Sequence, residues 1–243
     1  MGTHLAKMLS NEDQNIVLID SDAKKLERAT HHLEVLPIEG SPTLLSDLES
    51  AHVEGADLFV GVTPEESTNI MACALAKRVG AKHTIARINN AEYLEAEYGK
   101  LLEELGVDWM IYPEELAANE IAAITKYPWA RQYITLFNGA LALIGVKVRQ
   151  GAPIVGKHLH ELKGILPEAE AKSYHIVAIK RDLDTIIPSG RTLIEHNDLV
   201  FFTCGVDHTD VIRQLAGKDA PEIRRIVIMG ASPVALRAIT KIP

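Results

Sequence analysis

At 243 residues, 47% hydrophobic and 24% charged, the chain has the length of one large or two ordinary domains and the balance of a folded globular protein. A formal net charge of −8 argues against nucleic-acid binding, which needs a concentrated basic face that Lys24-Lys25 and Arg224-Arg225 are too short to make. No apolar run approaches the roughly 18–20 residues that span a bilayer, and Met1-Gly2-Thr3-His4 opens no signal peptide. Cytoplasmic placement without direct lipid insertion is therefore the expectation.

To about residue 126, strand and helix signals alternate. Asn15 to Asp20 reads as a buried strand ending in an acid, and Asp22 caps a helix running through Leu26 to Leu33. Val35 to Ile38 is a short strand, followed by Gly40-Ser41-Pro42 and a helix through Leu44, Leu45 and Leu48. Asp57 to Val62 is a nearly continuous apolar strand, as parallel sheets covered on both faces require. A helix from Glu65 to Val79 stops at Gly80. Then come a strand (His83 to Ile88), a helical stretch (Ala91 to Leu105), a strand (Asp108 to Ile111) and a helix opened by Pro113 and running to Thr125. Regular alternation predicts an α/β fold with a Rossmann-like, doubly wound parallel sheet.

The pattern changes after Lys126-Tyr127-Pro128. Strand-like segments follow at Tyr133–Phe137, Ala140–Val148, Tyr174–Lys180 and Leu199–Phe202, with turns such as Asn138-Gly139 and short helices near Leu159 and Val211. The expected organisation is a nucleotide-binding domain over 1–126, a small α+β subdomain over 127–216, a linker over 217–223, and over 224–243 the start of a second Rossmann-like domain. In that last stretch Arg224 to Met229 reads as a strand, with Gly230, Ser232 and Ala235 at the three positions of a dinucleotide-binding turn.

Candidate chemistry lies in the first domain. Asp20, ending its strand, stands where dinucleotide folds place the acid that accepts from the adenosine ribose hydroxyls; the alternative is a capping turn with Ser21 and Asp22. An acid there favours a free 2′-hydroxyl. Gly2-Thr3-His4 reads as the third glycine of a phosphate loop and the opening of its helix. The leading strand and first two glycines are not in the chain, so the phosphate cradle is expected to be incomplete. Tail 224–236 resembles that missing piece, and pairing of 226–229 with the first sheet would complete it. Neither a catalytic constellation nor a metal site is read. His158, His160, His175 and His196 sit among surface and turn residues, and Cys73, in an apolar helix, reads as a buried structural thiol.

Three segments, Ala56 to Thr63, Asn69 to Lys77 and Thr84 to Ile88, resemble the RCK (regulator of K⁺ conductance) family of Trk-type potassium uptake regulators. So do Gly151 to Lys157, Ile186 to Gly190 and Asp198 to Phe202, which are similar to that family's C-terminal subdomain. The resemblance implies a nucleotide-sensing homo-oligomer that gates a TrkH-like membrane K⁺-translocating subunit in response to NAD(H) or ATP/ADP. It places Gly2 and Thr3 at the phosphates, Asp20 at the ribose, Gly40 and Ser41 beside the adenine, Val62 and Thr63 over the nucleotide, and Arg87 near the phosphates or a neighbouring subunit. A cation at Arg87 also makes sense alone, since anionic ligands bind at the C-terminal edge of parallel sheets; a surface salt bridge is the alternative. Ser41 and Ser67 depart from the family, which often carries an acid or amide at the first position and an acid at the second.

The competing function is an NAD-dependent oxidoreductase with a small substrate domain, which needs an acid–base pair facing the nicotinamide. Glu114 and Glu115 open the last helix of the first domain, where carboxylates favour the helix dipole; related K⁺ regulators can hold a divalent cation in this region. Leu116, Ile121 and Ile124 give that helix apolar surface for packing or for a dimer contact.

Overall fold

The computed structural model describes residues 2–242 except positions 11, 13, 32, 220 and 222. Its contacts divide the chain into two compact units, Met1–Glu114 and Glu115–Pro243.

The first unit alternates helices and strands: α1 (Gly2–Leu9), β1 (Val17–Asp20), α2 (Ala23–Thr30), β2 (Leu36–Glu39), α3 (Leu45–Ser50), β3 (Leu58–Gly61), α4 (Glu66–Val79), β4 (His83–Arg87), α5 (Ala96–Leu105) and β5 (Trp109–Ile111). The α/β reading holds, and local signals account for most boundaries. Asp22 caps α2 by accepting from the Lys24 and Lys25 amides, although α2 stops at Thr30, short of the expected Leu33. Gly80, at φ 129°, ends α4 in a conformation that L side chains rarely adopt.

All strand pairs here are parallel, but they form two pieces, β1–β2 and β3–β4–β5. In dinucleotide-binding sheets the strand leading into the glycine turn lies between these pieces. A shared apolar layer nevertheless joins them. Leu48 of α3, Ala51 at its C-cap, Val53, Ala76 of α4 and Ala81 form one buried cluster, and Ile19 of β1, Ile38 of β2 and Phe59 of β3 pack against it.

Polar ties fix the N-terminal edge of the three-stranded piece. Thr84, fully buried, donates its hydroxyl to the Gly106 carbonyl (2.7 Å) and accepts from the Asp108 amide (3.0 Å). Asp108 Oδ2 accepts from the Thr84 amide at 2.8 Å and from Lys77 Nζ at 2.7 Å. Cys73 lies fully buried, its Sγ 3.3 Å from the Ile85 carbonyl, and burial pushes its thiol up to about 11, as a structural thiol requires.

The second unit contains most of α6 (Pro113–Lys126), then β6 (Gln132–Leu136), β7 (Leu141–Lys147), α7 (Glu168–Ala171), β8 (Tyr174–Arg181), β9 (Asp184–Ile186), β10 (Leu199–Cys204), α8 (Thr209–Leu215) and α9 (Pro233–Lys241). Its sheet is antiparallel, in the order β6-β7-β10-β8-β9. Strict alternation of burial along β10 puts Val200, Phe202 and Cys204 into a core with Ile144, Val146, Ile179 and Ile212. β9 is an addition to the sequence reading. Asp198, 1% exposed, takes a two-point contact from Arg181 (2.8 and 2.9 Å), and Arg181 also donates to a Glu195 carboxylate oxygen and to the Leu193 carbonyl. This fork ties β8 to the turn before β10.

One expectation fails in this unit. Residues 226–229 form no strand, with Val227 88% and Met229 99% exposed, so the tail completes no sheet. An apolar β pattern without a ladder partner gains no hydrogen bonds from extension. The turn and helix that follow do form: Ser232 Oγ accepts from the Ala235 amide, and Pro233 opens α9. Glu115 on α6 pairs with Arg237 (2.9 Å) and Lys241 (2.5 Å) of α9, and the Lys241 contact foremost holds its carboxyl below the usual range. Of the linker, positions 220 and 222 lie outside the described residues.

Asp108 gives the fold a testable pH dependence. Burial raises its pKa, but the Lys77 and Thr84 hydrogen bonds outweigh that and leave it below the ordinary 3.8. A depressed carboxylate contributes stability above its unfolded-state pKa and loses it as pH falls through the folded value. Asp108→Asn is expected to cost about 1–2 kcal/mol at neutral pH. Urea unfolding should show this difference shrinking once pH falls below 3.8.

Candidate nucleotide site

The residues singled out from the sequence lie where strands of the first unit end. Asp20 is the last residue of β1, and the Gly40 amide just beyond β2 donates to its carbonyl at 3.2 Å. Its Oδ1 accepts from the Asp22 amide at 2.9 Å, and Lys25 Nζ stands 3.9 Å away. The carboxylate thus takes part in the capping turn while Oδ2 takes no hydrogen bond among the described residues.

Gly40 is required by a close approach. A Cβ there would lie 2.6 Å from Asp47 Oδ2 and 2.8 Å from its Cγ. The gap lets the Asp47 carboxylate accept from the Ser41 amide at 2.8 Å, and Ser41 Oγ stands 2.9 Å from Thr43 Oγ1. Asp47 therefore shapes the loop assigned to the adenine.

Val62 and Thr63 follow β3. A Cβ on Gly2 would sit 3.5 Å from Val62 Cγ2, so the start of α1 lies against this loop, with Thr3 exposed beside it. Thr63 is held by Asn69: its amide and its hydroxyl each donate to Asn69 Oδ1 at 2.8 Å. Arg87 ends β4, and its buried Nε has no hydrogen-bond partner. A buried guanidinium nitrogen without a partner is costly, and a phosphate oxygen is the acceptor Arg meets best.

Asp20, Gly40 and Ser41 thus form one group on β1–β2. Gly2, Val62, Thr63 and Arg87 form another around β3–β4. The sequence reading did not single out Asn69, Glu66 or Asp47 for the site. Asn69 carried a signal, because Asn69, Ala72, Cys73 and Ala76 are the buried stripe of α4 at helical spacing, and an amide on such a stripe needs partners.

Comparison with known proteins places this arrangement. The TrkA-N domain description matches residues 1–113, and the TrkA-C domain description matches residues 143–217. The chain is thus a TrkA-N domain followed by a TrkA-C domain. Relatives include the Trk system potassium uptake protein TrkA of Haemophilus influenzae, 32% identical over 97% of this chain and 51% of its own length. A Trk system potassium uptake protein TrkA homolog of Archaeoglobus fulgidus is 30% identical over 96% of this chain and 51% of its own length. The chain therefore spans about half the length of these TrkA relatives. Among solved structures, the GsuK channel bound to NAD superimposes with a TM-score of 0.66 at 16% identity, covering 98% of this chain and 41% of that one. The GsuK RCK domain gives 0.65 at 17% identity, covering 98% and 50%. At these identities the likeness is one of fold.

The crowding at Gly40 yields a double-mutant test. Gly40→Ala is expected to cost about 1–3 kcal/mol by driving Asp47 off the Ser41 amide. In an Asp47→Ala background the same substitution should cost less than about 1 kcal/mol. Urea unfolding of the four proteins measures the difference, and additive penalties would show that Asp47 is not the obstacle.

Proposed function

We propose that the chain is the nucleotide-sensing part of a potassium-uptake regulator and is not itself an enzyme. NAD(H) or ATP/ADP serves as regulatory ligand, bound along the C-terminal ends of β1 to β4. The observation that carries this reading is Arg87, whose buried, unpartnered Nε stands at the end of β4 in a TrkA-N domain, on the same edge as Thr63. A cation there attracts a nucleotide phosphate. Asp20 Oδ2 takes the ribose, Gly40 and Ser41 line the adenine, and Val62, Thr63, Gly2 and Thr3 bound the phosphates.

The TrkA names of the relatives support a role in K⁺ uptake, and one structural neighbour is described as bound to NAD. In this reading K⁺ translocation is the work of a membrane partner of the TrkH type; no helix among the described residues is long and apolar enough to cross a membrane. The chain would act on it as a homo-oligomer at the cytoplasmic face. Leu116, Ile121 and Ile124 of α6, 61%, 39% and 56% exposed, offer apolar surface for self-association.

Titration calorimetry with NADH, NAD⁺, ATP and ADP tests the site. At least one nucleotide is expected to bind. Arg87→Ala should weaken it by about tenfold or more, one charge-assisted contact being worth about 1.4 kcal/mol. Asp20→Asn should weaken it less. Binding of none of the four, or equal binding by Arg87→Ala, would overturn the site. Oxidation of NADH by an added carbonyl substrate would move the chain to the oxidoreductase class.

A further inference from the structure

The first turn of α4 reaches two loops at once. Asn69 is 1% exposed, and its amide is fully used: Oδ1 accepts from the Thr63 amide and hydroxyl, while Nδ2 donates to the Thr63 carbonyl at 3.0 Å and to the Arg87 carbonyl at 2.9 Å. One side chain thereby closes the loop after β3 and joins it to the end of β4. Gly61 makes the approach possible, because a Cβ there would lie 3.0 Å from the Asn69 carbonyl oxygen and 3.1 Å from its Cα.

Three residues earlier on the helix, Glu66 Oε2 accepts from the Asn89 amide at 2.7 Å and the Asn90 amide at 2.9 Å. Asn89 Nδ2 returns a bond to the Pro64 carbonyl at 2.9 Å. Asn90 Oδ1 in turn accepts from the Glu92 amide at 3.1 Å, capping the short helical turn Ala91–Leu94 that leads towards α5. Asn69, Glu66 and Asn89 therefore link residues 63–64 to residues 87–90 by bonds independent of the β3–β4 ladder.

We propose that Asn69 is a positioning residue that, with Glu66, makes the loop after β3 and the loop after β4 move as one body, so that nucleotide at Thr63 is felt at Arg87 to Asn90. The identity of the ligand rests on the nucleotide reading above; the tie does not. A loop that left this arrangement alone would strand buried donors and acceptors of Asn69, so the two loops have reason to shift together. Such a two-loop element is what a sensor needs to pass occupancy of a site to the surface beyond it.

Amide hydrogen exchange of the whole chain tests the tie in the free protein. In Asn69→Ala, the amides of Ile88, Asn89 and Asn90, none bonded to Asn69, should exchange about tenfold or more faster, while the interiors of β3 and β4 keep their protection. Asn69→Asp keeps the acceptors for Thr63 and, when ionised, loses both donors; it should leave Thr63 protected and release residues 88–90. Should Asn69→Ala prove unfolded, Glu66→Ala gives the reciprocal test, with faster exchange expected at Thr63, which Glu66 does not bond. Acceleration confined to groups bonded directly to the altered side chain would overturn the proposal. With NADH or ATP bound, the wild type should gain protection at Thr63 and at 88–90 together, and Asn69→Ala at Thr63 alone; protection of Thr63 alone in the wild type would equally sink it. If none of NADH, NAD⁺, ATP and ADP binds, the nucleotide reading fails while the free-protein comparison still decides the tie.

Discussion

The carboxamide of Asn69 is closed off from solvent with both donors and both acceptors satisfied, and the C-terminal edge of β3 and β4 is arranged around it. An amide in an apolar helix stripe is unfavourable unless every polar atom finds a partner. Here three of the partners are main-chain groups of Thr63 and Arg87 and the fourth is the Thr63 hydroxyl, so satisfying the amide fixes two loops. The same requirement bears on Gly61, where a Cβ would press on the Asn69 main chain at 3.0–3.1 Å and push α4 outward. One helix face, with Ala72, Cys73 and Ala76 below Asn69, thus does two jobs, packing the sheet and setting the loops.

The two edges of β3–β4–β5 are built differently. At the N-terminal edge, Thr84, Asp108, Lys77 and the Gly106 carbonyl saturate one another. At the C-terminal edge the main chain is tied down by Asn69 and Glu66, but Arg87 Nε is not. Satisfied backbone supporting an unsatisfied cation is the arrangement expected where a rigid scaffold presents a group to a ligand. The second unit contrasts with this, because its buried charge, Asp198, is fully engaged by Arg181 and the Glu195 amide. That network reads as structural.

What was legible in the sequence was local. Asp22 before an amphipathic run, Gly80 after one, Pro113 opening one and Ser232-Pro233 opening another each act within a turn of the residue that carries them. β7 and β10 were legible as strands from their apolar, β-favouring runs, while the alternation of burial along β10 was visible only in the structure. The ties that shape the candidate site join residues 18 apart (Asn69 to Arg87) or 23 apart (Glu66 to Asn89), and no local pattern announces such pairings. Gly40 carried a role at the adenine in the sequence reading, yet its crowding against Asp47, seven residues on, needed three dimensions to see. Residues 226–229 erred the other way: their pattern is as strand-like as that of β3, but a strand exists only with a neighbour.

Within the first unit, β1–β2 and β3–β4–β5 meet through helices rather than through a shared ladder among the described residues. Asp20, Gly40 and Ser41 stand on one piece, and Val62, Thr63 and Arg87 on the other. No hydrogen-bond ladder joins the pieces among the described residues. They pack on one apolar cluster, in which Leu48 of α3, Ala51 at its C-cap and Ala76 of α4 meet Ile19, Ile38 and Phe59. Asp20, Gly40 and Ser41 are therefore positioned against Val62, Thr63 and Arg87 through α3 and α4. Of these two helices, α4 also carries Asn69 and Glu66, so a shift of the α3–α4 contact reaches the Thr63 and Arg87 loops through the same helix that holds them together.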